Sequence, residues 1–181
     1  MKKSIVFIFF ILVLSNCKVS HYWKGADIGW ATEYESYGMM FYNRAGEVRE
    51  CTALMKELGL DAVRFRVWVD PSKHGNWNSK EDLIVKARRA DELGMAIMVD
   101  FHYSDFWADP KKQNIPASWS GKGYEEIKIL LAEHTKDVLS ALKAEGIEPK
   151  WVQVGNEISN GFLWTVKGDQ WGTPFRIPWG E

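Results

Sequence analysis

The sequence contains few cysteines and no excess of charge. Cys17 and Cys51 are the only two cysteines among 181 residues, so a network of disulfides is excluded. The 23 basic and 24 acidic side chains give a formal charge of −1, and this balance disfavours a nucleic acid or another polyelectrolyte as the partner. Hydrophobic residues make up 46% of the chain, which excludes disorder. A globular protein is therefore predicted.

The longest apolar run lies at the N-terminus and is too short to cross a bilayer. Lys2 and Lys3 precede the apolar residues 5–14, a length typical of the h-region of an export signal. The next residues, up to Cys17, resemble a bacterial lipoprotein signal, in which cleavage leaves the cysteine as the lipid-modified N-terminus. We expect a signal peptide over 1–16, a linker over 17–22, and an exported protein that is anchored at the cell envelope by lipid on Cys17. Plain secretion is the alternative.

Lipidation of Cys17 would leave Cys51 without a disulfide partner. Cys51 lies at helical spacing between Val48 and the apolar residues Leu54 and Leu58. This pattern predicts a small, buried, apolar residue rather than a reactive thiol.

Three helical patterns each end in a glycine that is followed by an apolar, strand-like run. The glycines are Gly59, Gly94 and Gly146, and the runs cover 62–68, 96–103 and 151–155, with one earlier run at 25–30. Apolar strands that alternate with amphipathic helices predict an α/β fold with a parallel sheet. The sequence has neither GxGxxG after the first run nor GxxxxGK[ST], so dinucleotide and P-loop functions lack their motifs. These features favour a (β/α)₈ barrel.

Two further features concern the helices. Ser79, with Asp82 three residues later, predicts a capping box at the start of the helix that ends before Gly94. His134 lies on the apolar face of the following helix, between Leu130 and Val138. This position predicts a packed, hydrogen-bonded histidine rather than a ligand.

Polar side chains gather towards the C-terminal ends of the strand-like runs, where a (β/α)₈ barrel carries its active site. Alternation groups them by face: Arg64, Arg66 and Trp68 on one run, and Asp100, His102 and Ser104 on the next. Two buried arginines need carboxylate partners, so a polar cleft is predicted. Asn156 and Glu157 follow the last run, and this glutamate is either an ordinary helix N-terminal charge or a general acid.

Metal binding and sugar stacking are two other roles for residues near the strand ends. Asp100, His102 and Asp105 have the side-chain types of a metal site, but no second histidine is nearby and no cysteine is within reach, so no metal is predicted. Trp68 and Trp107 follow strand ends, which makes them candidates for stacking on sugar rings.

Four motifs together resemble the arabinogalactan endo-β-1,4-galactanases of glycoside hydrolase family 53. They are KGADI at 24–28, VRFRVWVDP at 63–71, VDFHYSDFWADP at 99–110 and QVGNEI at 153–158. The resemblance runs in order over about 23–164. The third motif is the longest and the most specific.

The resemblance implies a (β/α)₈ barrel that cleaves β-1,4-galactan within the chain, with retention of configuration, two glutamates and no cofactor. Glu157 matches the acid/base glutamate, Asn156 the neighbour that contacts the sugar, and Arg64 the arginine that supports the nucleophile. His102 and Trp107 match residues of the substrate cleft. The resemblance also implies supporting or binding roles for six further polar or aromatic residues of the motifs: Asp27, Arg66, Trp68, Asp100, Ser104 and Asp105.

The length departs from the pattern of this family. A (β/α)₈ barrel needs about 250 residues, whereas 23–181 holds only four strand-like runs. We therefore expect the N-terminal half of a barrel, without the nucleophilic glutamate that ends the seventh strand. Such a chain is expected to be inactive by itself and to expose apolar surface at two open sheet edges. The alternatives are a surface lipoprotein that binds glycan without cleaving it and a hydrolase of another β-1,4-glycan, such as mannan.

Overall fold

A computed structural model describes residues 21–159 and 161–164 of the chain. The strands are β1 (Gly25–Asp27), β2 (Phe41–Tyr42), β3 (Val48–Arg49), β4 (Ala62–Val67), β5 (Ala96–Phe101) and β6 (Trp151–Val154). The α-helices are α1 (Ala31–Ser36), α2 (Cys51–Glu57), α3 (Lys80–Glu92) and α4 (Tyr124–Ala144). Short 3₁₀ helices cover Ser72–His74 and Ala117–Trp119. None of the helices in this part of the chain is long and apolar enough to cross a membrane. The expected signal peptide and Cys17 lie outside the described residues.

The main sheet contains four parallel strands in the order β1-β4-β5-β6. Val63, Phe65 and Val67 on one face of β4 are buried with their neighbours on β5, and α3 packs against both strands. Strands in sequential order with helices between them confirm the predicted α/β fold class and match the N-terminal part of a (β/α)₈ barrel, from its first strand to its fourth. Strands β1 and β6 form the edges of this sheet, and Val152 and Val154 on β6 are exposed.

Each predicted strand extends one to three residues beyond the observed C-terminal end. Tyr103 and Gly155 lie shortly after β5 and β6, and both have left-handed backbone conformations, with φ of 49° and 91°. After β4, the Trp68 N–H binds the carbonyl of Asn78, at 2.9 Å, instead of a neighbouring strand. The residues that follow the strands therefore turn away from the sheet, and their side chains leave the alternating pattern.

A small antiparallel hairpin, β2 and β3, was not predicted from the sequence. The Asn43 side chain closes it by accepting hydrogen bonds from the backbone N–H groups of Ala45 and Glu47, each at 3.0 Å. Val48 belongs to β3 and is 53% exposed, so its expected place on a helix with Cys51 is wrong. Cys51 itself is buried at the start of α2, and burial raises the pKa of its thiol to about 11. The prediction of an unreactive thiol agrees with this environment.

The predicted helix ends are confirmed at Gly59, Gly94 and Gly146, whose φ values are 88°, 62° and 78°. The residue after each glycine donates its N–H to a carbonyl five residues earlier: Leu60 to Met55, Met95 to Ala90, and Ile147 to Leu142. This is the Schellman arrangement, which requires the left-handed conformation that glycine adopts without strain.

Two details of the helix predictions differ from the structure. Ser79 caps α3, accepting the Asp82 N–H at 3.2 Å, but the Asp82 carboxylate accepts the N–H of Asn78 rather than that of Ser79. His134 packs edge-on against Phe101 and Trp119 as expected, yet its buried Nε2 has no hydrogen-bond partner among the described residues. Burial lowers the pKa of His134, so the neutral form is favoured there.

Candidate active site

The C-terminal ends of the four parallel strands lie side by side and form the C-terminal edge of the sheet, which is distinct from the edge strands β1 and β6. Asp27 ends β1 directly beside Arg64 of β4, and Arg66 lies beside Asp100 of β5. Because the strands are parallel and in register, residues far apart in sequence become neighbours at this edge. The sequence-predicted polar cleft is thereby assembled.

Arg64 is the centre of the hydrogen-bond network. Its Nη1 binds Oδ2 of Asp27, and its Nη2 lies 2.6 Å from Oδ2 of Asp100. The same Nη2 donates to Oδ1 of Asn156 at 2.8 Å and to Oε1 of Gln153 at 3.3 Å. The predicted carboxylate partners are therefore present, and they hold the guanidinium in one orientation. That orientation in turn fixes the amide of Asn156.

Asp100 and His102 extend this network into the interior. Asp100 is fully buried, and within the described residues its Oδ1 has no hydrogen-bond partner. His102 Nε2 lies 2.9 Å from Oδ2 of Asp100, but the two groups are not aligned for a hydrogen bond. His102 Nδ1 accepts the indole N–H of Trp68, at 3.3 Å, and the backbone N–H of Ala108, at 3.1 Å. Two donors on Nδ1 assign the neutral ring proton to Nε2, which faces Asp100.

Trp68 does not have the role predicted for it as a sugar-stacking surface. Its side chain is only 1% exposed, and the ring packs against Trp30, Phe106 and His102. A buried ring cannot offer a face to a sugar. The indole N–H instead donates to His102, so Trp68 holds the His102 ring in place.

Ser104 and Asp105 connect the loops that follow β4 and β5. Ser104 is buried, and its carbonyl accepts the Val69 N–H at 2.9 Å. Asp105 accepts the N–H of Asp70 at 3.1 Å and that of Ala117 at 2.8 Å, one on each carboxylate oxygen. Backbone N–H groups thus bind both carboxylate oxygens of Asp105. This residue therefore supports the loops around the site.

Arg66 lies between two tryptophan rings. Its guanidinium carbon is 4.6 Å from the ring centroid of Trp30 and 4.6 Å from that of Trp107, and its Nη2 binds Oδ1 of Asp27 at 2.7 Å. A Cβ on Gly29 would come within 2.7 Å of Arg66 Nε, so a side chain at this position would push the guanidinium away from its present place. Burial would raise the pKa of Asp27, but Arg66, the Gly29 N–H and Arg64 outweigh it and lower the pKa.

Asn156 and Glu157 are adjacent in the bend after β6 but differ in exposure. Asn156 is buried, and its Nδ2 donates to the carbonyl of Ala108 at 2.7 Å, while its own backbone carbonyl accepts from Nε2 of Gln113 at 2.7 Å. Glu157 has a left-handed backbone, with φ of 52°, and an exposed side chain. No hydrogen bond from the described residues reaches its carboxylate. The bend therefore presents one carboxylate to solvent beside a rigidly held amide.

This arrangement suits proton transfer to a bound, neutral, hydroxyl-rich ligand. Glu157 is accessible, and the second amide hydrogen of Asn156 is not used by any described residue, so one group can exchange a proton while the other binds a hydroxyl. The described part of the chain contains no group of three or more His, Cys, Asp or Glu side chains that could hold a metal ion.

Sequence reasoning missed several residues that build the site. Gln153 begins the QVGNEI motif at 153–158, and strand alternation places it on the face that meets Arg64. Trp30 and Gln113 carry no comparable signal, because loop geometry alone brings them to Arg66 and Asn156.

Lys86 is the most unexpected of the missed residues. It is buried on α3, and its Nζ binds the Gly29 carbonyl at 2.9 Å, Oδ1 of Asn78 at 3.0 Å and Oδ2 of Asp82 at 2.7 Å. Burial lowers the pKa of Lys86, and Asp82 acts in the opposite direction. The ammonium group thus joins α3 to the loop after β1, in which the Trp30 ring contacts Arg66.

Comparison with known proteins gives consistent matches. A family model described as Glycosyl hydrolase family 53 matches residues 23–175. The Endo-beta-1,4-galactanase of Bacillus subtilis is 39% identical over 145 residues, which is 77% of this chain and 34% of that protein. The Arabinogalactan endo-beta-1,4-galactanase of Thermothelomyces thermophilus is 34% identical over 156 residues, covering 86% of this chain and 46% of that protein.

Solved structures give the same picture. A structure of fungal beta-1,4-galactanases superposes with a TM-score of 0.74 at 33% identity, covering 78% of this chain and 42% of that one. The GH53 catalytic domain of Ignisphaera aggregans has a TM-score of 0.73 at 34% identity, covering 78% of this chain and 41% of that one. The chain thus spans less than half the length of each of these proteins.

Proposed function

This chain belongs to glycosyl hydrolase family 53, and we propose that it carries the general acid/base residue of an endo-acting, retaining hydrolase of β-1,4-galactan. The observation that carries the proposal is the exposed Glu157 at the end of β6, beside an Asn156 amide that Arg64 holds in place. The names of the Bacillus subtilis and Thermothelomyces thermophilus relatives support galactan as the substrate. The near-neutral charge of the chain suits an uncharged polysaccharide.

The proposed mechanism requires a second carboxylate. In a retaining glycosidase, the acid protonates the leaving oxygen while a carboxylate roughly 5 Å away attacks the anomeric carbon. Asp27 binds Arg64 and Arg66, and Asp100 is buried against Arg64, so neither is available as a nucleophile. The nucleophilic glutamate is therefore assigned to sequence outside the described residues. Without it, Glu157 can perform only one of the two catalytic roles.

Substrate preference tests the proposed function. A barrel completed with the C-terminal βα units of a family relative is expected to shorten β-1,4-galactan faster than mannan or cellulose, and reducing ends released per minute measure this. Equal or faster cleavage of mannan would contradict the assignment of galactan. Binding of galactan with no cleavage by the completed barrel would instead favour the glycan-binding alternative.

We further propose export with a lipid anchor at Cys17, on the basis of Lys2, Lys3 and the apolar residues 5–14. The Cys17→Ala variant is expected to be released from membranes or to remain unprocessed, as followed by membrane fractionation and mass spectrometry. Cys51→Ala is the matched control and should stay in the membrane fraction. An unmodified wild-type chain in the soluble extracellular fraction would refute lipidation.

A further inference from the structure

A cavity of about 370 Å³ lies between α1 and the loops that follow β4 and β5, next to the Trp30 ring that contacts Arg66. It is lined by Trp30, Glu33, Tyr37, Trp68, His74 and Phe106. Its volume falls in the range of small-molecule sites. We propose that this cavity is a second sugar-binding subsite, which holds a unit of the glycan distant from Glu157; the inference rests on the proposed function.

The cavity offers an unused hydrogen-bond acceptor. Glu33 accepts the Tyr37 hydroxyl on Oε1 at 3.2 Å, whereas its Oε2 is buried and has no hydrogen-bond partner among the described residues. A buried carboxylate oxygen without a donor is unfavourable, because it has lost water and gained nothing in return. A turn of the Glu33 carboxylate towards the cavity would let a sugar hydroxyl supply the missing donor.

The cavity also offers aromatic surface. The exposed His74 ring stacks on Phe106 with centroids 4.1 Å apart and an interplanar angle of 28°, and Tyr37, which is 69% exposed, also lines the cavity. An aromatic ring is a good partner for the apolar C–H face of a pyranose, and the carboxylate is a good partner for its hydroxyls. One ligand class uses both surfaces at once.

A neutral ligand fits better than an organic cation, which is the other class that combines aromatic rings with a carboxylate. The Arg66 guanidinium already lies 4.6 Å from the Trp30 ring centroid. A second positive charge at the same ring would be repelled by this arginine. The position of Arg66 therefore favours the sugar.

The strand order separates this cavity from Glu157. His74 follows β4 and Phe106 follows β5, while Glu157 follows β6. Two strand spacings, roughly 10 Å, separate β4 from β6, so a single sugar ring that contacts His74 does not reach Glu157. Only a chain of several units can contact both places, so the subsite is expected to favour longer oligosaccharides.

Binding of β-1,4-galactotetraose to the 181-residue chain tests the proposal, with affinity from calorimetry and the His74 ring signals followed by NMR. We expect those signals to shift, and we expect Tyr37→Ser and Glu33→Ala each to weaken binding about tenfold, the loss of one contact or hydrogen bond. Tyr42→Ser is the matched control, because Tyr42 is 52% exposed and lies outside the cavity. It should bind like the wild type.

The possible results separate this inference from the proposed function. Equal binding by all variants, with unchanged His74 signals, would overturn the subsite and leave the galactan proposal standing. The same pattern of losses with β-1,4-mannotetraose in place of galactotetraose would support the subsite and overturn galactan as the substrate. Tetramethylammonium that shifts the His74 signals while neither tetraose does so would overturn the sugar assignment of the cavity.

Discussion

Replacement of Glu157 by Gln is expected to reduce galactan hydrolysis by about 10²–10⁴-fold in a barrel completed with the C-terminal βα units of a family relative. The glutamine side chain keeps the size of the glutamate but cannot donate a proton to the leaving oxygen. The 181-residue chain by itself is expected to release no reducing ends, because Asp27 and Asp100, the carboxylates that the structure describes at the strand ends, are paired with arginines and cannot act as the nucleophile. Reducing-end assays on galactan measure both results.

The matched control is Glu148→Gln, the same chemical change shortly before β6 and therefore at the opposite end of that strand. Glu148 is exposed and away from the C-terminal edge, so its replacement should leave the rate within a factor of about two. A completed barrel that kept its full rate after the Glu157→Gln substitution would contradict the acid/base assignment. If the isolated chain were as active as the completed barrel, catalysis would not need a second carboxylate from the added βα units.

Replacement of Lys86 by Met is expected to lower the free energy of unfolding by about 3–5 kcal/mol, as measured by urea denaturation. Methionine fills a similar volume but removes the charge that binds Asp82, Asn78 and the Gly29 carbonyl. These groups would stay buried without their donor, and this desolvation accounts for most of the expected loss.

Lys128→Met provides the control for this substitution. Lys128 pairs with Glu125 on the exposed side of α4, where water and salt screen an ion pair so that it contributes little to stability. The two substitutions are chemically identical, so their difference measures burial rather than the loss of a lysine. Equal losses at Lys86 and Lys128 would show that the buried network does not stabilise the fold.

The Lys86 network also bears on the site. Gly29 gives its carbonyl to Lys86 and its N–H to Oδ1 of Asp27, at 3.0 Å, so one glycine is held from both sides. Asp27 in turn binds Arg64 and Arg66. Loss of Lys86 is therefore expected to loosen the β1 loop near the arginines before the sheet itself is affected.

Local sequence patterns by themselves determined the parallel α/β framework. Gly59, Gly94 and Gly146 end their helices because a left-handed C-terminal residue is a local requirement that glycine meets. Alternation placed Arg64 and Arg66 on one strand face, and the cost of burying them predicted carboxylate partners. These inferences needed only neighbours along the chain and the period of a strand.

Only the tertiary structure decided which partners these residues meet. Trp68 is buried and Lys86 binds the β1 loop because loops from different strands pack over the sheet edge, and the sequence encodes no local signal of that packing. The site depends on the same packing: Asn156 is oriented by Arg64, 92 positions away in the chain. Contacts at such separation follow from strand order and loop conformation, which are fixed only when the whole core assembles.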